Sequence, residues 1–308
     1  MGLSMIQDFD QLLSHVATLP MKRIVVVNPS NAETFSAVVE SRDRLNVEFD
    51  LVGDSGLILR GLHDAGGNSG RFRIHDQKEI HAALQFSLSL VRSGEGEILM
   101  KGSLDTATMM KAVLAEENGL RTGRLLSDIF IMEYPNRTGN KFVMITDGGM
   151  TLAPDLSNKI ELIKNAVEVA HALGNTNPKV AILSATEFVL PNLPSTLDAA
   201  ALSKMNDRGQ IRGCVVDGPL ALDNALSPDA AEEKGIVSPV AGRAEILVAA
   251  NIESANSLAK STTYFANMRL AHVIVGARIP ILIPSRSDKG DAKLLSIAMG
   301  IVMSCAAS

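Results

Sequence analysis

Short runs of aliphatic, mostly β-branched residues alternate with longer stretches of helical periodicity along most of this chain. The first such run, residues 23–28, is followed by a helical stretch at residues 32–45. Further along, Ile80, Leu84 and Leu88 recur on one face of a predicted helix. Strands that alternate with helices are typical of parallel sheets joined by crossover helices. The alternation therefore predicts an α/β fold.

The same pattern gives a set of predicted elements. Predicted strands cover residues 23–28, 47–53, 97–100, 129–134, 142–146, 180–184, 213–217, 246–249, 273–276 and 279–283. Predicted helices cover residues 32–45, 78–93, 105–117, 155–173, 196–205, 254–268 and 291–305. A chain of 308 residues is too long for one usual domain, so two are expected. The turn at residues 135–140 is the predicted crossing, which assigns residues 1–137 and 275–308 to a first domain and residues 138–274 to a second.

The composition describes a globular protein and argues against nucleic acid as a partner. Hydrophobic residues make up 46% of the chain and charged residues 20%, with a formal net charge of -5. Lysine and arginine are scattered rather than gathered into a basic stripe, and the chain has no tryptophan on which bases could stack. Any anion that binds here is therefore expected to be small.

The cysteine pattern and the apolar runs predict a cytoplasmic protein. Cys214 and Cys305 are isolated, and no histidine is spaced with a second histidine or a carboxylate as metal ligands are, so neither a disulfide nor a metal site is expected. Residues 1–20 lack a basic start followed by an apolar core, so they do not read as a signal peptide. The longest apolar run, residues 271–284, is interrupted by Arg278 and is shorter than a membrane helix requires.

Polar residues follow four predicted strands at the point where each strand ends. The four clusters are Lys101-Gly102 with Thr106, Thr146-Asp147-Gly148-Gly149, Asp217-Gly218-Pro219 with Asp223, and Ser285-Arg286. Ligands of open α/β sheets bind beyond the carboxyl ends of strands, where glycine allows close approach and a following helix offers N–H donors to an anion. The guanidinium of Arg286 matches the oxygens of phosphate or carboxylate. The clusters predict an oxyanion site, whereas each one alone is equally explained as an ordinary turn, above all at Asp217.

A longer series of short blocks runs in a fixed order from about Leu99 to the end of the chain. The blocks include Met100-Lys101-Gly102, Gly119-Leu120-Arg121-Thr122-Gly123, Ile145-Thr146-Asp147-Gly148, Val216-Asp217-Gly218-Pro219, Ser238-Pro239-Val240-Ala241-Gly242 and Ser285-Arg286. In these blocks and their order the chain resembles the phosphate acetyl/butyryltransferase family, and within it the phosphate butyryltransferase branch. The resemblance implies two α/β/α domains with a cleft between them, akin to isocitrate and isopropylmalate dehydrogenases. It also implies a homodimer or higher homo-oligomer, with dimerisation expected through the second domain.

The resemblance implies a phosphate acyltransferase. Such an enzyme converts a short-chain acyl-CoA, here expected to be butyryl-CoA, and phosphate into acyl phosphate and CoA by direct attack in a ternary complex. Coenzyme A is then a substrate, and no bound cofactor is expected. The alternatives are a phosphate acetyltransferase and a non-catalytic acyl-CoA-binding regulatory module. A dehydrogenase of the same fold is disfavoured, because the sequence shows neither a cluster of acidic metal ligands nor a nucleotide-binding pattern.

Three residues carry the implied chemistry. Acyl transfer needs a phosphate clamp, donors for the oxyanion and a group that takes the thiol proton. The resemblance assigns these roles to Arg286, Ser285 and Asp291, respectively. The ordinary pKa values of an aspartic acid and a thiol differ by about 4.6 units, or about 6 kcal/mol, so the base role requires one of the two values to shift. The alternative for Asp291 is an acidic first-turn residue that complements the helix dipole, after a helix cap at Ser287 or Asp288.

Seven further residues are expected to bind substrate, CoA or phosphate. They are Lys101, Gly102, Thr106, Lys111, Asp147, Gly148 and Asp217. For Lys101, the alternative is a lysine whose stem packs at a helix start while its ammonium group reaches water. Four departures from the family pattern bear on acyl specificity. Asp128 replaces the usual histidine of a Ser-His-Val block, and Ala255-Asn256 stands where Gly-Asn is usual. Gly149-Met150-Thr151 replaces Ala-Met-Asn, and the first strand ends on Val27-Asn28-Pro29-Ser30, which adds a polar group.

Overall fold

The structure is a computed structural model that describes residues 4–134, 137–285 and 290–306. In chain order the helices are α1 (Phe9–Val16), α2 (Ala32–Arg44), α3 (Ser55–Asp64), α4 (Ile80–Arg92), α5 (Thr106–Leu114), α6 (Leu156–Ala172), α7 (Pro194–Asp207), α8 (Leu222–Leu226), α9 (Pro228–Glu233), α10 (Ile252–Tyr264) and α11 (Gly290–Ala306). The strands are β1 (Lys22–Val27), β2 (Val47–Gly53), β3 (Arg73–Asp76), β4 (Ile98–Lys101), β5 (Ser127–Glu133), β6 (Phe142–Thr146), β7 (Lys179–Leu183), β8 (Val215–Leu220), β9 (Ile246–Val248), β10 (Leu270–Val275) and β11 (Ile281–Leu282).

The chain divides into two compact units. The first unit contains residues 9–124 and the described residues from 269 onward, and the second contains residues 4–8 and 125–268. The first boundary lies before β5, whereas the sequence placed it in the turn after β5. The second boundary lies before β10, whereas the sequence placed it near the end of β10. In the second unit β5 forms an antiparallel hairpin with β6, and in the first unit β10 pairs with β11. The predicted crossing at residues 135–140 is the connection of that hairpin.

The first unit is a mostly parallel sheet covered by helices. Its strand order is β3-β2-β1-β4-β11-β10, in which β10 runs antiparallel to β11 and the other neighbours are parallel. The run Ile24–Val27 in β1 is fully buried, as expected for a central strand covered on both faces. Helix α11 is also buried along most of its length, and it packs against β10, α2 and α1. Its apolar surface is therefore part of the core.

The second unit has the strand order β5-β6-β9-β7-β8, with β5 antiparallel to β6 and the remaining neighbours parallel. The central strands β6 and β9 consist of buried residues throughout. Helix α6 begins at a capping box in which Asp155 and Asn158 exchange side-chain and backbone hydrogen bonds. Each unit is thus an α/β fold, which confirms the predicted fold class. No helix in the described part of the chain is long and apolar enough to cross a bilayer.

Candidate active site

Three neighbouring parallel strands of the first unit end at the same edge of the sheet. β1 pairs with β4 so that Val27 lies opposite Lys101, and β4 pairs with β11 so that Met100 lies opposite Leu282. Ser285 follows β11 directly in the loop before α11. The structure thus brings two of the predicted residues, Lys101 and Ser285, to one edge, where open α/β sheets bind their ligands.

Gly102 allows the loop after β4 to pass close to the end of β1. Its N–H donates to the Val27 carbonyl at 2.8 Å, and the next N–H, of Ser103, donates to the Asn28 carbonyl at 2.8 Å. A Cβ at position 102 would stand 2.4 Å from the Val27 carbonyl oxygen, closer than real Cβ atoms approach backbone. Only glycine permits this contact. The loop from β4 to α5 is therefore held against β1.

Helix α5 follows this loop and carries two of the predicted binding residues. Its N-cap is Asp105, whose carboxylate accepts the Thr108 N–H at 2.7 Å. Thr106 is half-buried in the first turn, where the helix dipole and free N–H groups favour an anion. Lys111 is exposed in the last turn of the helix. The two residues therefore lie in different turns of α5, and only Thr106 lies next to the sheet edge.

The ammonium group of Lys101 is buried at the end of β4. Its side chain is 6% exposed, and Nζ donates to the Leu104 carbonyl at 3.2 Å and to the Gly102 carbonyl at 3.4 Å. These contacts hold the loop that leaves the strand. Contact between Lys101 and a substrate stays a prediction.

Ser285 is half-buried, and its backbone carbonyl accepts a hydrogen bond from Lys293 Nζ at 3.1 Å. Lys293 lies on α11 and is 1% exposed. A second buried ammonium group therefore holds the loop after β11. Arg286, the predicted phosphate clamp, lies outside the described residues, as do Ser287 and Asp288.

Asp291 lies in the first turn of α11. Its side chain is 59% exposed, and Oδ2 is 3.9 Å from Arg269 Nε. Arg269 also donates to Asp10 at 3.0 Å and stacks over the Phe9 ring. Asp291 is thus an acidic residue in the first turn of α11 with an exposed carboxylate. This position fits both interpretations of the sequence, the base of acyl transfer and the residue that complements the helix dipole, and the base role stays a prediction.

In the second unit, Asp147 follows β6 and fastens the next loop. Its carboxylate accepts the N–H groups of Asp128, Gly149 and Met150, each at 3.1 Å, and that of Thr151 at 2.8 Å. The side chain is 2% exposed. Burial raises the pKa of the Asp147 carboxyl above its ordinary value, and the neighbouring Asp128 carboxylate adds to the rise, while the backbone donors oppose it.

The other two predicted residues of the second unit also make local contacts. Gly148 is buried, and its carbonyl accepts the side-chain N–H of Asn256 at 2.8 Å. Asp217 Oδ1 accepts the Gly218 N–H at 2.8 Å and the Ser203 hydroxyl at 3.3 Å. Such local hydrogen bonds are typical of a structural turn, which is the interpretation that the sequence favoured for Asp217. Contact of either residue with a ligand stays a prediction.

Four residues at the first unit's edge, namely Asn28, Ser30, Ser103 and Lys293, were not predicted as site residues from the sequence. Asn28 donates its side-chain N–H to the Ser103 carbonyl at 3.1 Å, and the Ser30 hydroxyl donates to the Ser103 hydroxyl. Ser30 was visible as an added polar group after β1, so this part of the edge was within reach of sequence reasoning. Lys293 gave no local signal, because a lysine near a helix start is ordinarily exposed.

The described residues contain no group of three or more histidine, cysteine or acidic side chains placed to hold a metal ion. Both cysteines are free. Burial raises the pKa of the Cys214 thiol to about 11, and it also raises that of Cys305. Neither is therefore activated as a nucleophile, since activated cysteines have a lowered pKa.

The fold and this edge define a protein of the phosphotransacylase class. The crystal structure of a branched-chain phosphotransacylase from Enterococcus faecalis V583 superposes with a TM-score of 0.82 at 30% identity, and the match covers 92% of this chain and 99% of that one. The family described as phosphate acetyl/butaryl transferase matches residues 66–301. The match therefore begins well before Leu99, where the sequence blocks first became recognisable.

Two curated relatives are similar over nearly their whole length. The phosphate butyryltransferase of Clostridium acetobutylicum is 38% identical over 299 residues, which are 97% of this chain and 99% of the relative. The phosphate acetyltransferase of Rhizobium meliloti is 40% identical over 291 residues, 94% of this chain and 92% of the relative. The chain belongs to the phosphate acetyl/butyryl transferase family, which confirms the resemblance read from the sequence.

Proposed function

We propose that this protein is a phosphate acyltransferase that converts a short-chain acyl-CoA and phosphate into acyl phosphate and CoA. The observation that carries the proposal is the edge of the first unit, where buried Lys101 and Lys293 hold the loops that leave β4 and β11 and Ser285 is half-buried, in a chain of this family. A phosphate oxygen attacks the thioester carbonyl carbon, the C–S bond breaks, and the thiolate leaves and takes up a proton. CoA enters as a substrate, so no resident cofactor is required.

The predicted residues divide this chemistry. Ser285 donates a hydrogen bond to the oxyanion that forms on the thioester carbonyl or to a phosphate oxygen. Arg286 clamps phosphate. Thr106 and Gly102 bind phosphate or CoA at the strand end, and Lys111 meets the CoA phosphates from the exposed side of α5.

Asp291 exchanges the proton of the CoA thiol. Its carboxylate is exposed in the first turn of α11. The buried ammonium groups of Lys101 and Lys293 assist the transfer, because positive charge lowers the pKa of a nearby thiol. Direct attack is favoured over an acyl-cysteine intermediate, since the Cys214 thiol is buried and its pKa is about 11.

We propose butyryl-CoA as the preferred substrate, because the Clostridium acetobutylicum phosphate butyryltransferase aligns over 97% of this chain and 99% of its own length. The second candidate is acetyl-CoA. The Rhizobium meliloti phosphate acetyltransferase is 40% identical, and Ser30 and Ser103 add hydroxyl groups beside the site that suit a shorter acyl chain.

The working form is proposed to be a cytoplasmic homodimer or higher homo-oligomer that associates through the second unit. Large apolar side chains are exposed on that unit, more than isolated surface residues require; they are Phe188, Val189, Leu197, Leu222 and Val237. Sedimentation at micromolar concentration tests the assembly. If the wild-type protein sediments as a monomer at this concentration, and Phe188→Ser sediments in the same way, the proposed assembly is wrong.

A thiol-release assay tests the activity. The wild-type protein is mixed with phosphate and each of acetyl-, propionyl-, butyryl-, isobutyryl- and valeryl-CoA, and the free thiol is followed to give kcat/KM for each substrate. We expect phosphate-dependent release with the highest kcat/KM for butyryl-CoA. Tight acyl-CoA binding without turnover would instead identify a regulatory module, and silence with every substrate would refute the acyltransferase.

Two variants test the assigned roles in the same assay. Ser285→Ala is expected to lower kcat by about 100-fold, the loss typical of one oxyanion donor. Asp291→Asn is expected to lower kcat by about 100-fold, the scale of general acid-base catalysis, without unfolding the protein. Asp10→Asn is the matched control, because Asp10 is the other carboxylate that pairs with Arg269. Near-normal turnover in Asp291→Asn removes Asp291 as the base.

A further inference from the structure

Lys293 is a cation in the buried part of an apolar helix. Its side chain is 1% exposed, and the residues that follow it, Leu294, Leu295 and Ile297, belong to the core of the first unit. Placing an ammonium group in such surroundings costs several kcal/mol unless it is paired, and apolar residues of similar size often replace buried charges without loss of stability. A buried ammonium group at this position therefore needs acceptors within hydrogen-bond distance, and those acceptors are fixed in place by it.

The ammonium group points to the loop that carries Ser285. Lys293 Nζ donates to the Ser285 carbonyl oxygen at 3.1 Å. That carbonyl belongs to the peptide unit between Ser285 and Arg286, so its orientation is tied to the backbone of both residues. β11 contains only two residues, and Pro280 and Pro284 on either side of it have no N–H to donate. The strand itself therefore does little to fix the loop after it.

The neighbouring strand uses the same arrangement. Lys101 is buried at the end of β4 and donates to the Leu104 carbonyl at 3.2 Å in the loop toward α5. The ends of β4 and β11 are adjacent, since Met100 pairs with Leu282. Two loops at one sheet edge are thus each fastened by a buried ammonium group, one from the strand end and one from a helix.

We propose that Lys293 is a positioning residue of the acyl-transfer site. It holds the backbone at Ser285 in the orientation that acyl transfer requires. This inference rests on the proposed acyltransferase function. Misplacement of a reacting group by about 1 Å costs on the order of 100-fold in rate, so loss of this contact is expected to act on kcat.

The test compares Lys293→Met with Lys22→Met in the thiol-release assay. Methionine keeps the apolar stem and removes the ammonium group. Lys22 is the matched control, a buried lysine of the same sheet that pairs with Glu97 at 2.7 Å at the opposite end of β1. We expect Lys293→Met to lower kcat about 100-fold with less than about a threefold change in KM for acyl-CoA and a thermal midpoint within a few degrees of wild type. Lys22→Met is expected to keep kcat within about twofold of wild type.

A second variant and a second measurement separate positioning from folding. Lys293→Arg keeps the cation and its donors, and its kcat is expected to be at least about tenfold higher than that of Lys293→Met. Amide hydrogen exchange of the peptide that covers residues 284–291 is expected to be faster in Lys293→Met and unchanged in Lys22→Met. The exchange result does not depend on turnover, so it tests the positioning even if the wild-type protein releases no thiol, a result that would refute the proposed function instead.

Three results would overturn the inference. The first is a kcat of Lys293→Met within about twofold of wild type. The second is loss of activity that follows a large fall of the thermal midpoint in both Lys293→Met and Lys293→Arg, which would mark a purely structural residue. The third is unchanged exchange of the 284–291 peptide in Lys293→Met.

Discussion

The two units hold the loops at the carboxyl ends of their strands with side chains of opposite charge. In the first unit, the ammonium groups of Lys101 and Lys293 donate to backbone carbonyl oxygens of the loops after β4 and β11. In the second unit, the Asp147 carboxylate after β6 accepts four backbone N–H groups. The first arrangement places ammonium groups at the edge and leaves backbone N–H donors available, whereas the second uses up N–H donors and places a carboxyl group there. An anionic substrate group is therefore expected to bind at the first unit's edge.

The largest effect that separates the two edges is expected at glycine. In Gly102→Ala the new methyl group would meet the backbone carbonyls of Val27 and Asn28 at 2.4 and 2.5 Å, and backbone cannot move aside without shifting β1. We expect a loss of about 3 kcal/mol in the free energy of unfolding, at the upper end for overpacking, measured by urea titration, together with a lower kcat.

Gly148→Ala in the second unit is the matched comparison. Its methyl group would meet the Phe130 ring at 2.7 Å, and a side chain can shift. A loss of about 1 kcal/mol is expected, with the loop after β6 retained. Equal losses in the two variants would show that the edge of the first unit is no more tightly built than that of the second.

The next effect concerns the carboxylates that fasten the second unit. Asp147 uses both oxygens as acceptors, Oδ1 for three N–H groups and Oδ2 for that of Thr151. Asparagine keeps one acceptor oxygen and turns an amide N–H₂ toward a donor, so Asp147→Asn is expected to cost about 2 kcal/mol, the penalty of a buried donor left without an acceptor.

Asp217→Asn is the control for that variant. Asp217 accepts both of its hydrogen bonds through Oδ1 alone, so asparagine can keep them, and a cost below about 0.5 kcal/mol is expected. Chemical denaturation of both variants at one pH measures the difference. If Asp217→Asn proved the more costly, Asp147 would not be the residue that fastens this edge.

The smallest effect is a dependence of stability on pH. Burial raises the pKa of Asp147 in the folded protein above its value in the unfolded chain. The unfolded chain therefore releases this proton first as pH rises, so the stabilisation that the protonated group provides is complete below about pH 4 and is lost as pH rises through the folded pKa. We expect the unfolding free energy of wild type relative to Asp147→Asn to fall as pH rises above about 4, the ordinary pKa of an aspartic acid. A difference that rises over this range would contradict a raised pKa at Asp147.

The fold was largely predictable because most strands are marked by local composition. β2 and β6 were predicted to the residue, as Val47–Gly53 and Phe142–Thr146. β3, with the sequence RIHD, was missed because it lies at the sheet edge with mostly polar residues and shows no alternation. The predicted strand 279–283 proved to be two residues long, since proline lacks the N–H that would extend its ladder.

From the sequence, only those residues of the candidate site that follow a predicted strand could be predicted. Lys101, Gly102 and Ser285 were found because each follows an apolar run in the sequence. The contact of Lys293 with Ser285 and the bond from the Asp128 N–H to Asp147 are made by tertiary packing, so no local pattern reveals them. The same holds for the crossing between units.

The brevity of β11 has a consequence for changing what this protein accepts. A strand of two residues between prolines is held by its neighbours β4 and β10 and by the buried helix α11, so the position of Ser285 depends partly on side chains that line no strand end. Residues of α11 such as Lys293, which contacts the Ser285 carbonyl, are therefore expected to tune acyl preference together with the residues of the edge itself. Libraries built for altered acyl selectivity should randomise both layers together.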